Sequence, residues 1–130
     1  MQSAEEHHEE LVKGLYDQMK SILDKSEQPM FIYLDDNHKA CNEKLASMLG
    51  IKSAQEWAEK PGFLDLYVAE KSREPLASAY WKAVEKMSAS TIQLTLMNKD
   101  GKTIDSTMIL VPMLYEGHMF GVHFVTNLGT

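Results

Sequence analysis

The sequence predicts an α+β domain in which a run of short helices separates a front hairpin from three long C-terminal strands. Three observations carry this. Ile92, Leu94 and Leu96 alternate with Thr91, Gln93 and Thr95, the period-two pattern of a strand with one apolar and one wet face. Asn98-Lys99-Asp100-Gly101 and Glu116-Gly117 are turn sequences. They divide the C-terminal part into strands over 91–96, 103–115 and 119–127. Between residues 42 and 87, caps and breakers recur too often for one long helix. Helices stacked on a single side of such a sheet enclose a small pocket, so the order of elements points to a sensing or binding module. Helices on both sides would count against it.

The chain opens with a helix over 4–25, a stretch with no Pro and only Gly14 among helix-weakening residues. Leu11, Leu15, Ile22 and Val12, Tyr16, Met19, Leu23 form its apolar stripe. Glu5, Glu6, Glu9 and Glu10 lie in the first turns and Lys20 and Lys25 near the end, each sign favourable to the helix dipole. Pro29 cannot donate a hydrogen bond and disfavours helical geometry at Gln28, so the helix ends there. Residues 1–28 thus form an N-terminal helical segment and 29–130 the body. The stripe can lie on its own domain or pair with its twin in a homodimer, through Leu11, Val12, Leu15, Tyr16, Met19 and Leu23. Both uses need the same residues.

The body begins with a hairpin, strands 30–35 and 38–41 around Asp36-Asn37. Asn42 is an N-cap for a helix carrying Leu45, Met48 and Leu49 and stopped by Gly50. Ser53 and Glu56 have capping-box spacing and start a helix with Trp57, which Pro61-Gly62 ends. Phe63, Leu64, Leu66, Tyr67 and Val68 form a helical turn or a packed loop. Ser72 is read as the cap of the last helix, with Pro75 in its first turn and Leu76, Tyr80, Ala83, Val84 and Met87 on its inner face.

Composition limits the function. A net charge of −6 and the absence of a basic stripe weigh against a nucleic-acid partner. Cys41 is the sole cysteine, which excludes an internal disulfide and suits a reducing compartment. The longest apolar run, 108–115, is too short to cross a membrane and contains Pro112. With an acidic start and no signal-peptide pattern, a cytoplasmic location is expected.

Met30-Phe31-Ile32-Tyr33-Leu34-Asp35, then Ala40-Cys41-Asn42-Glu43-Lys44-Leu45 and Leu49-Gly50, resembles the opening of a PAS domain. Asp65-Leu66-Tyr67-Val68 with Arg73 is similar to the segment entering the long helix of sensor-kinase members. Asn98-Lys99-Asp100-Gly101 resembles the family's hairpin between third and fourth strands, and Gly121-Val122-His123-Phe124-Val125-Thr126 its last strand. The resemblance covers residues 29–128. It implies a five-stranded antiparallel sheet with helices over one face, a role in signal transduction without catalysis of its own, frequent dimerisation, and an output kinase or regulator as partner. In place of the usual Asp-Ile-Thr-like ending stands Thr126-Asn127-Leu128-Gly129-Thr130, as expected of a stand-alone sensor or of a piece of a longer protein. Covalent flavin attachment needs a Cys within an Asn-Cys-Arg-like helical motif, whereas Cys41 precedes Asn42. Haem-binding members offer a His from the long helix, and residues 73–87 have none. Neither cofactor is expected.

Met48, Trp57, Phe63, Tyr67, Tyr80, Leu94, Met108, Leu110 and Phe124 are the candidate pocket lining, for a small apolar or aromatic ligand. Singly each reads as core. Together with nine methionines, which fill irregular gaps without enforcing one packing, they suggest a deformable interior. His123 should point away from Val122 and Phe124, toward the N-terminal helix or water. His7 and His8, adjacent on a helix, diverge by about 100° and do not suggest a metal site. His38 and His118 are expected to be exposed beside turns, Asp35 and Asp36 read as turn formers, and no catalytic residues are recoverable. Two other functions fit the composition. One is a small α+β pocket enzyme resembling the ketosteroid isomerase type, though such folds place helices before strands. The other is a ligand-free dimerisation module.

Overall fold

The computed structural model describes residues 4–129; positions 1–3 and 130, at the ends of the two expected segments, lie outside them. The elements are α1 (Ala4–Lys25), β1 (Met30–Asp35), β2 (His38–Cys41), α2 (Glu43–Leu49), α3 (Ala54–Glu59), α4 (Phe63–Tyr67), α5 (Glu70–Lys86), β3 (Ser90–Met97), β4 (Thr103–Tyr115) and β5 (His118–Gly129). They build one antiparallel sheet in the order β2-β1-β5-β4-β3. The front hairpin joins the C-terminal strands where β1 pairs with β5, from Met30 opposite Phe124 to Tyr33 opposite Gly121. Pro112 sits in β4 beyond the point where β3 begins at Ser90, opposite Leu110, so its missing amide interrupts no bond to β3.

Strand alternation separates two apolar layers. Phe31, Leu94, Leu96, Met108 and Val125 face α2–α5, with Leu45, Leu49, Trp57, Phe63, Tyr67 and Leu76 closing the core. Met30, Ile32, Ala40, Phe120 and Val122 face the other way and bury Leu11, Leu15, Met19 and Leu23 of α1, with Val12 and Tyr16 packed at the margin. All six stripe residues expected at a dimer contact are therefore spent on the protein's own sheet, at about 2 kcal/mol for each of the four buried side chains. The sheet carries helices on both of its sides, against the expectation of one covered side. The 43–86 block does keep to a single side. The second layer comes from α1, which precedes the stretch that carries the PAS resemblance.

Asn42 joins the layers. Its Oδ1 accepts from Leu45 N and Met30 N, both at 3.0 Å, so it caps α2 and holds β1 with the same atom. Its Nδ2 donates to Leu23 O at the end of α1 and to Gln28 O in the linker. Gly50 ends α2 at φ 73, the left-handed conformation that a Cβ disfavours. Ser53 caps α3 by accepting from Glu56 N.

The start of α5 differs from the sequence reading. Its N-cap is Ala69, and Ser72 lies inside the helix, where its Oγ accepts from Thr95 N at 2.9 Å. A buried hydroxyl facing an unpaired strand amide gains more there than at a solvated helix end. With the helix beginning at Glu70, Pro75 falls past the first turn and leaves the Lys71 carbonyl without its helical donor. Met87, expected inside, is the left-handed residue that ends α5 and is exposed.

Candidate functional site

Between β1, α4 and α5 the helical layer leaves a cleft of about 420 Å³. β1 and β5 contribute Phe31, Tyr33 and His123, α4 contributes Phe63 and Leu64, and α5 contributes Leu76, Ala77, Tyr80, Trp81 and Val84; Leu34 and Asp35 complete the lining. Remote hydrogen bonds hold these elements in place. Asp36 accepts from Gly62 N at 2.6 Å and Phe63 N at 3.1 Å, so a β1–β2 turn residue caps α4 and sets the Phe63 ring. Arg73 donates from Nε to Leu64 O and Val68 O and from a terminal nitrogen to Asp65 O, pinning the carbonyl end of α4 to α5. Tyr80 donates to Leu34 O at 3.0 Å, tying α5 to β1.

Gly121 makes this approach possible. A Cβ there would stand 2.9 Å from Tyr80 Cε2 and 2.9 Å from His123 Cε1. Without it the Tyr80 ring reaches β5. His123 stacks on Phe31 with ring centroids 4.0 Å apart and planes 7° from parallel. Phe31 in turn meets Trp57 and Phe63 at 5.3 and 5.2 Å.

Burial decides the electrostatics. It pushes the His123 pKa down to about 3, against smaller support from backbone hydrogen bonds with Gly121 and Phe31. The imidazole is therefore neutral near pH 7, its Nδ1–H donating to Gly121 O at 3.1 Å. Tyr33 and Tyr80 are both pushed up to about 12, first by burial and then by nearby carboxylates, and stay protonated. The one carboxylate in the lining, Asp35, already accepts from Asn37 N and His38 Nδ1. The cleft suits an uncharged molecule with apolar or aromatic surface.

Of the nine expected lining residues, Phe63 and Tyr80 reach the cleft. Trp57, Tyr67, Leu94 and Met108 are core, with Met48 packed against them. Leu110 is core beside Ala79 and Ala83. Phe124 packs on the α1 side of the sheet, and His123 faces the cleft, the reverse of the expected orientation. Phe31, Tyr33 and Trp81 were missed. The spacing of Phe31 and Tyr33 on one strand face was the available signal for two of them. Cys41, at the end of β2, is buried away from the cleft; its thiol contacts Ala54 O, and burial pushes its pKa up. Lys39, unremarked in the sequence, is buried. It donates to Asp36 O and Lys60 O and lies 5.3 Å from the Trp57 ring centre, and desolvation lowers its pKa. His38, expected to be exposed, is buried, and His118 is half-buried.

Sheet order, helical block and lateral cleft together define an α+β fold of one five-stranded antiparallel sheet. The sequence matches no family model and no curated protein. Solved structures do match. The PAS domain of a protein from Colwellia psychrerythraea aligns with TM-score 0.70 at 15% identity, over 88% of this chain and 97% of that one. The PAS domain of an HTR-like protein from Haloarcula marismortui gives 0.64 at 11% identity, over 94% and 98%. A PAS domain from a LuxR-family transcriptional regulator of Burkholderia thailandensis, solved in complex with ethanol, gives 0.66 at 12%, over 85% and 97%. The chain has the PAS-domain fold.

Proposed function

We propose that this is a sensory PAS-fold module whose input is a small, uncharged, apolar or aromatic molecule held in the cleft between β1, α4 and α5. The observation that carries the reading is the cleft itself. Its volume of about 420 Å³ is of the size that holds a small organic molecule, and it is walled by aromatic rings around a buried neutral His123. Trp81, 61% exposed at this site, is a large apolar group left partly in water that a bound molecule would cover. The ethanol complex of the Burkholderia PAS domain supports small-molecule capture by this fold. In this reading the domain has no catalysis of its own and passes its state to a kinase or other regulator. Self-association through α1 is not required, since that stripe is buried on the sheet. Among the described residues no helix is long and apolar enough to cross a membrane.

Native mass spectrometry of the protein purified from its own source tests this. A retained small molecule in the wild type, lost in Ala77→Phe, supports the sensor. Wild-type protein that carries nothing and behaves like the variant leaves an interaction domain without ligand.

A further inference from the structure

Four of the five histidines of this chain converge at one end of the sheet, although they come from three separate elements. His8 is on α1, His38 opens β2, and His118 opens β5. The His8 ring centre lies 5.4 Å from that of His38 and 5.5 Å from that of His118, and His7 stands 5.2 Å from His118. Asp35 sits among them, with one oxygen 2.7 Å from His38 Nδ1 and the other 3.8 Å from His8 Nδ1. Ligand-capable atoms of His8, Asp35 and His38 lie within 4.8 Å of one another.

The tautomers favour a metal. A carboxylate only accepts, so His38 Nδ1 carries the proton, and in the neutral ring the Nε2 lone pair is free. That Nε2 is buried with no hydrogen-bond partner among the described residues, on a side chain 7% exposed. A buried polar atom without a partner is unfavourable, and a coordinated ion removes the deficit. Likewise His118 Nδ1 must donate to Glu116 O at 3.1 Å, which leaves Nε2 as its basic nitrogen. Glu5 and Glu9 come within the same 4.8 Å limit of His38 and add negative charge.

We infer that His8 and the Nε2 of His38, with a carboxylate of Glu5 or Glu9, form a binding site for a divalent ion of the zinc class, in which Asp35 orients His38 through Nδ1 and a fourth position lies on the His118 side. Two imidazoles and a carboxylate are a donor set for zinc rather than for calcium or magnesium, which take oxygen ligands. Tetrahedral zinc needs donors about 3.4 Å apart, and the exposed Glu5 and Glu9 side chains, already within 4.8 Å of His38, can rotate to meet it. The ion would fasten the first turns of α1 to the β1–β2 hairpin. Because Asp35, which orients His38, also lines the cleft, metal site and cleft would be joined through it. The site does not depend on the cleft being occupied.

The test uses untagged, chelator-stripped full chain titrated with Zn(II), and with Co(II) read by its visible absorption. One equivalent per chain, a tetrahedral Co(II) spectrum and a raised melting temperature are expected. His8→Ala, on the helix surface, should weaken binding by at least the ~100-fold that loss of a supporting partner can cost and abolish the zinc-dependent thermal shift. His38→Gln should do the same, and if it fails to fold, His8→Ala still decides. Wild type that takes up less than one equivalent overturns the site. So does binding that survives His8→Ala but is lost in His7→Ala.

Discussion

At the scale of the residue, two side chains do more than their positions in the sequence announce. Asn42 is legible as a helix cap, and it caps α2, but its remaining atoms hold β1, the linker and the end of α1. Asn42→Ala removes the cap and leaves Met30 N buried without a partner. The expected loss is about 2–4 kcal/mol, read as a lower denaturation midpoint with unchanged slope. His123 gives a pH signature. Its pKa is about 3 in the fold and 6.5 when solvated, so between these values the unfolded chain binds the extra proton. Its contribution is complete above pH 6.5, falls as the pH drops, and is fully lost near pH 3. Between pH 7 and 5 this amounts to about 2 kcal/mol, so urea midpoints should fall over that interval in wild type and fall distinctly less in His123→Gln. An equal fall in both would assign the acid sensitivity to the carboxylates.

At the scale of the element, α1 shows where sequence reading stops. Its boundaries, dipole-matched charges and apolar stripe are all visible in the chain, because helix period and breakers are local properties. What the stripe touches is a long-range property, and sheet and second copy demand the same residues. The structure buries Leu15 at 2% exposure against the sheet. Leu15→Ala should therefore destabilise the domain by about 2–5 kcal/mol in thermal or chemical denaturation, with no change in sedimentation at micromolar concentration. A variant that keeps full stability but dissociates from dimer to monomer would restore the interface reading. Strand β5 fails in the same way for a related reason. Alternation shows that His123 opposes Val122 and Phe124, but an apolar layer covers each face of the sheet, so polarity does not say which side is which. Ser72 and the histidine cluster were hidden because their partners, Thr95 for the one and Asp35 with other elements' rings for the other, lie far away in the chain.

At the scale of the whole molecule, β1 and β5 are shared walls. Phe31, Tyr33 and His123 face the cleft, and their neighbours Met30, Ile32 and Val122 face α1. Occupancy of the cleft can alter α1 only if it favours one packing of these two strands over another. The Phe31–His123 stack is the contact on which such a preference would act, since it spans the β1–β5 pair where those residues are register partners. Filling the cleft should hold the stack and protect the ladder beneath it. Ala77 is half-buried at the lining, with room for a phenyl ring, so Ala77→Phe serves as a permanent occupant. Amide hydrogen exchange in this variant is expected to slow several-fold in β1, in β5 and in the second half of α1, where Leu15, Met19 and Leu23 meet the sheet. Exchange in α3, which does not line the cleft, is the internal reference. If protection rises in α4 and α5 alone, the two faces of the sheet are energetically separate, and α1 is a fixed cover rather than the element through which the cleft is read.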